Sequence, residues 1–370
     1  MSQATSLLKP FASEKLTLSN RIVMAPMTRA SSPGNVPHAG NIEYYRRRAA
    51  DGVGLIITEG TCIGHKAANG YSNIPYFYGD EALAGWKKVV DAVHAEGGKI
   101  APQLWHVGAI RRAGTEGPEP ELPGYSPSGM VVPGKVFGHA MSVEDIQETV
   151  AAFVQGAVDA QKLGFDAIEI HGAHGYLIDQ FFWPGTNHRE DQYGGSMANR
   201  QRIAIEIVEG IRAACGESLP IILRFSQWKQ QDYTARLCQT PEELEAFLQP
   251  LVDAGVDIFH CSTRRFWEPE FEGSDLNLAG WTRKITGKPA ITVGSVSLNS
   301  DFLPEDGTAN FKSGNPASID NLVERMEADE FDLVAVGRAL IANPDWVKHL
   351  SAGTLDQLAP YSAELLQKLD

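Results

Sequence analysis

Apolar and polar positions along this chain fall into one repeated phrase: a short apolar run, a polar or glycine-rich end, then an amphipathic helix. Residues 22–28 (IVMAPMT) form the first run, and a helix around 44–50 follows it. The second run, 53–58, ends at Glu59-Gly60-Thr61. Its helix, 81–96, carries Trp86, Val89, Val90 and Val93 at helical spacing. The third run is 99–105. Residues 107–140 then break the rhythm with glycine and proline, which predicts a long excursion over the strand ends, a lid or pocket wall. A capping box, Ser142-Val143-Glu144-Asp145, opens the next helix, with Ile146, Val150, Phe153, Val154, Ala157 and Val158 on one face. The remaining runs are 167–170, 221–225, 258–261, 290–293 and 333–336. A helix at 198–214 follows the fourth run, and Thr240-Pro241-Glu242-Glu243 caps the helix after the fifth.

Eight short, almost wholly apolar strands alternating with helices predict a parallel sheet covered on both faces. Eight such units close into a (β/α)8 TIM barrel, an α/β fold. No linker interrupts residues 1–370, so one domain is expected. Leu16 and Leu18 alternate ahead of the first strand, as in an N-terminal hairpin plugging the barrel bottom.

Composition narrows the function. A hydrophobic content of 43% with 21% charged residues is that of a globular protein. The net charge of −14 is offset by no basic run beyond Arg46-Arg47-Arg48, which argues against nucleic acid or an anionic membrane as partner. No apolar stretch is long enough to span a bilayer, and the start (MSQATSLLKPF) lacks a signal peptide's apolar core, so a cytoplasmic location is expected. The four cysteines, Cys62, Cys215, Cys238 and Cys261, form no CxxC pair and read as small buried residues.

The densest chemistry lies in residues 166–200. The strand at 167–170 ends in His171-Gly172-Ala173-His174-Gly175-Tyr176. On a strand, positions i and i+3 point to opposite faces, so the two imidazoles meet only if the chain turns. Gly172 and Gly175 permit that turn. Three readings stand: a metal pair, an unliganded core pair, or two N–H donors aimed at one oxygen where negative charge develops. Tyr176, protonated at neutral pH, suits a proton donor in the third. Glu169 is expected to point into the barrel or out of the pocket.

In a TIM barrel the active face lies at the C-terminal strand ends. Gly294-Ser295 and Gly337-Arg338 close the seventh and eighth strands, where a phosphate commonly binds. Thr28, Gln103 and Arg224 end three other strands and together suit the polar edge of a flat heteroaromatic ring that gains negative charge on reduction. Gly60 removes a side chain where such a ring could lie.

These residues resemble a known family. The motifs 20–28 (NRIVMAPMT), 103–106 (QLWH), 171–200 (HGAHGYLIDQFFWPGTNHREDQYGGSMANR) and 336–344 (VGRALIANP) are similar to those of the Old Yellow Enzyme family of FMN-dependent ene-reductases, over essentially the whole chain. The resemblance implies that Pro26, Met27, Thr28, Gly60, Gln103, His171 and Arg224 hold the flavin ring, and that Gly294, Ser295, Gly337 and Arg338 hold its phosphate. It implies that His171 and His174 bind the carbonyl or nitro oxygen of an enone or nitro substrate, that Tyr176 protonates the α carbon, and that Trp105 and Trp267 border the substrate. FMN would be reduced by NADPH or NADH at the same site in a ping-pong scheme, with no metal, in a monomer or homodimer. Three stretches depart from the family pattern and leave the substrate walls open: 227–239, 264–273 and 299–315.

Overall fold

The computed structural model describes residues 6–115, 119–300 and 313–369. Its centre is a closed barrel of eight parallel strands, each hydrogen-bonded to the next in chain order. They are β1 (Ile22–Met24), β2 (Leu55–Cys62), β3 (Ile100–Trp105), β4 (Ile168–His174), β5 (Ile221–Lys229), β6 (Ile258–Ser262), β7 (Ala290–Val293) and β8 (Leu333–Val336). Pairing of Glu169 with Gln103 and Ile170 with Leu104 closes β3 against β4. The connecting helices are α1 (Ala39–Ala50), α2 (Asp80–Ala95), α3 (Val143–Leu163), α4 (Arg202–Cys215), α5 (Pro241–Ala254), α6 (Leu278–Thr286), α7 (Asp320–Glu327) and α8 (Arg338–Ala342).

The near-continuous apolar runs arise because both strand faces are buried. Outward residues such as Ile56, Leu104, Ile170, Leu223, Phe259 and Val334 pack with the helices in one large cluster. Inward residues form a second cluster: Val23, Leu55, Ile57, Ala101, Ala167, Ile222, Ile258, Ile291, Leu333 and Ala335. Phe11, Leu16 and Leu18 join this inner cluster from a hairpin that pairs Phe11–Ala12 antiparallel with Thr17–Leu18, the expected plug. At the start of α3, Ser142 Oγ accepts from Asp145 N at 3.1 Å and Asp145 Oδ2 accepts from Ser142 N at 2.9 Å, the predicted box. Among the described residues no helix is long and apolar enough to cross a membrane.

Three expectations change. The excursion at 107–140 holds short strand pairs, Tyr125–Ser126 with His139–Ala140 and Met130–Val132 with Lys135–Val136, and none of its described residues lines the main cavity. Its Ile110, Arg112, Thr115 and Val131 line instead a smaller outer cavity of about 280 Å3 with Gly70 and Tyr71. β5 runs to Lys229, four residues beyond the apolar run, because its polar side chains find buried partners. Gln227 Oε1, for example, accepts from Leu237 N and Cys238 N. β4 does not turn at Gly172 either; it continues to His174 through a register shift. Of the expected loop at 299–315, residues 301–312 lie outside the described part of the chain.

Phe11→Ala should destabilise the protein by about 3–5 kcal/mol in equilibrium urea unfolding, with the barrel's far-UV dichroism retained. A loss below ~1 kcal/mol would mean that the hairpin does not seal the barrel.

Candidate active site

Above the inner apolar cluster the barrel opens into a cavity of about 430 Å3. Pro26, Met27, Thr28, Gly60, Gln103, Trp105, His171, His174, Tyr176, Arg224, Gly294, Ser295, Gly337 and Arg338 all line it. One predicted residue does not. Trp267 lies outside the lining at 38% exposed, packed edge-on to Phe266 at 5.1 Å, with its carbonyl accepting from Arg325 Nη2 at 3.0 Å. Arg264, from the same loop, lines the cavity and lies 4.5 Å over the ring of Tyr233.

A bulge brings the two histidines together. Register slips between Gly172 and His174, and His174 (φ +65°) and Gly175 (φ +76°) both take the left-handed conformation. The ring centroids of His171 and His174 end 5.2 Å apart, and Tyr176 lies 5.2 Å from His171. Such backbone strain in a non-glycine residue needs outside support. Ser226 Oγ accepts from His174 N at 2.9 Å, and Asp179 Oδ2 accepts from Gly175 N at 2.7 Å. Asp179 is in turn paired with Lys229 Nζ at 2.6 Å, both side chains fully buried.

Electrostatics fix the protonation states. Burial, reinforced by Arg224, holds both His171 and His174 well below the usual imidazole range, so both are neutral at pH 7. Burial also pushes the Tyr176 phenol well above its ordinary value, which keeps it protonated. His174 Nε2 is 2.7 Å from Ser262 Oγ, and Arg224 Nη2 donates to the same hydroxyl at 3.3 Å. Trp228 stacks on His174 at 4.7 Å. Tyr71 OH and Gln230 Nε2 each lie 3.4 Å from Tyr176 OH. Among the described residues no three His, Cys, Asp or Glu side chains gather as a metal ion requires.

Two glycines have definite reasons. A Cβ at Gly60 would lie 2.4 Å from Cε3 of Trp105, so the indole needs the missing side chain, while Gly60 itself still lines the cavity. At Gly294 (φ +137°) a Cβ would lie 2.6 Å from Thr263 O. Ser295 Oγ and Arg338 Nη2 both donate to Ser300 O, at 3.0 and 2.5 Å, closing the end of the cavity formed after β7 and β8.

The chain matches the model of the NADH:flavin oxidoreductase / NADH oxidase family over residues 6–357. It is 40% identical over 376 residues to 12-oxophytodienoate reductase 7 of Oryza sativa subsp. japonica, covering 94% of this chain and 88% of that protein. It belongs to the NADH:flavin oxidoreductase / NADH oxidase family, the Old Yellow Enzymes. Morphinone reductase in complex with tetrahydroNAD superposes with a TM-score of 0.80 at 29% identity, over 97% of this chain and 93% of that one. The Old Yellow Enzyme homologue of Zymomonas mobilis gives 0.79 at 26%, over 97% and 96%.

As an Old Yellow Enzyme the chain implies FMN, and the cavity suits it. Arg224 Nε and His171 Nδ1 are buried there without a protein partner, as expected of groups that face a polar ligand edge. The residues that sequence reasoning missed are those serving other residues: Asp179, Lys229, Ser226 and Ser262 position the histidines, and Trp228, Gln230 and Tyr233 wall the cavity. For Trp228, Lys229, Gln230 and Tyr233 the unusual run 227–239 is the signal in the sequence. The distinctive 183–200 half of the long motif is scaffold: Arg189 Nη1 donates to Pro127 O at 3.0 Å and Asn187 Nδ2 to Phe181 O and Tyr193 O at 2.8 and 2.7 Å.

A further buried carboxyl, Glu59, supports the cavity wall: its Oε2 accepts from Arg29 N and Ala30 N at 2.9 and 3.0 Å, holding Ala30 at φ +49°. Burial pushes its pKa up to about 7, against those two backbone donors. A raised carboxyl pKa gives stability that is full below the ordinary value of 4.5 and lost as pH rises through about 7. Unfolding free energy should therefore fall over that window, and Glu59→Gln should flatten the fall; an unchanged profile would remove Glu59 from the linkage. Lys229→Met strands the Asp179 carboxylate and should cost about 3–5 kcal/mol in urea unfolding. Adding Asp179→Asn to it should recover part of that loss, and purely additive losses would show that the pair is not coupled.

Proposed function

We propose that this flavin oxidoreductase reduces activated C=C bonds, in α,β-unsaturated carbonyl and nitro compounds, using NADPH or NADH in two alternating half-reactions at one site. The observation that carries this reading is the convergence of two neutral imidazoles and one protonated phenol on the cavity that also presents Arg224 and Gln103. The 370 residues would form one FMN-binding domain. Pro26, Met27, Thr28, Gly60, Gln103, His171 and Arg224 would hold the ring, and Gly294, Ser295, Gly337 and Arg338 the phosphate. The chemistry supplied by bound FMN is hydride transfer, from the nicotinamide and then to the substrate's β carbon. The complex of morphinone reductase with tetrahydroNAD supports nicotinamide binding in an enzyme of this shape.

His171 and His174 receive the substrate's oxygen. As neutral donors they stabilise charge on it without surrendering a proton. Ser262 accepts from Arg224, so its own hydrogen is available to His174 Nε2, and His174 then carries its proton on Nδ1. Stacking on Trp228 limits the ring's rotation. Tyr176 gives its proton to the carbon α to the oxygen, and Trp105, edge-on to it at 4.9 Å, confines the substrate beside it. Tyr71, 37% exposed and in contact with Tyr176 OH, lies on the side from which that proton is restored.

The first test is an anaerobic titration of the yellow protein with NADPH, followed by cyclohexenone. Bleaching and then recolouring are expected; a colourless protein that takes up no FMN would overturn the proposal. Tyr176→Phe should slow recolouring by about 10²-fold or more while sparing bleaching. Equal losses in both half-reactions would remove Tyr176 as the proton donor.

A further inference from the structure

Directly beneath the cavity, inside the barrel, is a polar layer that the mechanism above does not use. Glu169 sits two positions before His171 on β4 with its side chain turned to the same, inward face, and it is 0% exposed. One carboxylate oxygen accepts from Gln103 Nε2 at 2.7 Å, and the other lies 2.6 Å from His260 Nδ1. His260, on β6, is likewise 0% exposed, and its Nε2 has no hydrogen-bond partner. Glu169 and His260 do not line the cavity, whereas Gln103 and Arg224 do. The carboxylate therefore touches the cofactor's surroundings only through those neighbours.

We propose that protonation of the Glu169–His260 pair, at His260 Nε2, is coupled at equilibrium to reduction of the bound FMN, with Glu169 also holding the Gln103 amide in place. The inference rests on the FMN reading above. Hydride from the nicotinamide brings two electrons and one proton to the cavity and leaves one additional negative charge there. Before reduction the layer is balanced, Arg224 against Glu169, with His260 neutral. After reduction Arg224 faces two anions inside a medium that screens them poorly.

Among the described residues, one group in the layer can answer that charge without breaking a hydrogen bond. Both Glu169 oxygens are occupied, Gln103 does not titrate, and Arg224 is already protonated. His260 donates through Nδ1 to Glu169 and keeps Nε2 open. The other titratable groups around it are His171 and His174 on β4 and Arg224 on β5. β7 offers it Ile291 in register and no charge. His171 and His174 also have burial against them, but their strongest charged neighbour is the Arg224 cation, which opposes protonation. Burial holds His260 below the usual imidazole range as well, and Arg224 adds to that, but among these three histidines it is the one with a carboxylate in direct contact, which works against both. The roles are those of positioning residues, since neither side chain reaches the cavity.

The test is the pH dependence of the FMN midpoint potential in the holoenzyme, measured by spectroelectrochemistry with FMN content and the oxidised spectrum as controls. Wild type should show uptake of two protons per two electrons across part of the neutral range. His260→Asn and Glu169→Gln, if loaded with FMN, should each halve that slope to one proton. Glu169→Gln should also raise the potential at alkaline pH, because a buried negative charge has been removed. A wild-type slope of one proton throughout, or a two-proton slope kept in both variants, would overturn the inference and leave the FMN reading intact. A wild-type protein that binds no FMN would overturn both. Should one variant lose its FMN, the slope of the other decides.

Discussion

A charged group carried into the interior of a parallel barrel finds no water there, so its partners must come from the other strands. That constraint organises the upper half of this molecule. Arg224, Glu169, Asp179 and Lys229 are all buried, and each is answered by a residue from a different element: Glu169 by Gln103 on β3 and His260 on β6, Lys229 by Asp179 from the short helix Leu177–Phe182 after β4. The lower half has no such demands. Isoleucine, leucine, valine and alanine fill it, and the N-terminal hairpin closes it.

The backbone beside this layer is strained as well as paired. A regular strand would direct His171 and His174 to opposite faces of the sheet. The bulge reverses that at the cost of a left-handed His174, and Ser226, Asp179 and, through Asp179, Lys229 hold the distorted backbone. Packing then adds chemistry. Burial neutralises the histidines and keeps the tyrosine protonated, so the same desolvation that would be a liability elsewhere sets the protonation states on which the proposed reduction relies.

The structure also divides the motifs of the chain into two kinds of work. Residues at the strand ends face the cavity. In the long run after Phe182, Asn187 and Arg200 bond to the carbonyls of Phe181 and Phe182 at the end of the helix Leu177–Phe182, and Arg189 bonds to Pro127 O in the excursion after β3. Described residues of that excursion share the outer cavity with Tyr71, and none of them lines the main one. The walls around the candidate substrate space come from the extension of β5 and from Arg264.

Much was legible in the sequence by itself. Period-two strands buried on both faces, alternating with capped amphipathic helices, specify eight units whatever their contacts, because local geometry sets side-chain direction and hydrophobicity sets burial. The rim residues were legible for the same reason: a strand's last residue occupies a known end of the barrel. What the sequence could not decide was which groups meet across strands. Glu169 is expected to point into the barrel or out of the pocket, and only β6 supplies His260 as its partner, while nothing local to Lys229 announces Asp179 from the helix after β4. Trp267 reads as a pocket aromatic until Arg325 fixes its carbonyl outside. Each of these depends on stagger between strands and on a bulge of one residue, and those are settled by the packing of the closed barrel and not by any local run of the chain.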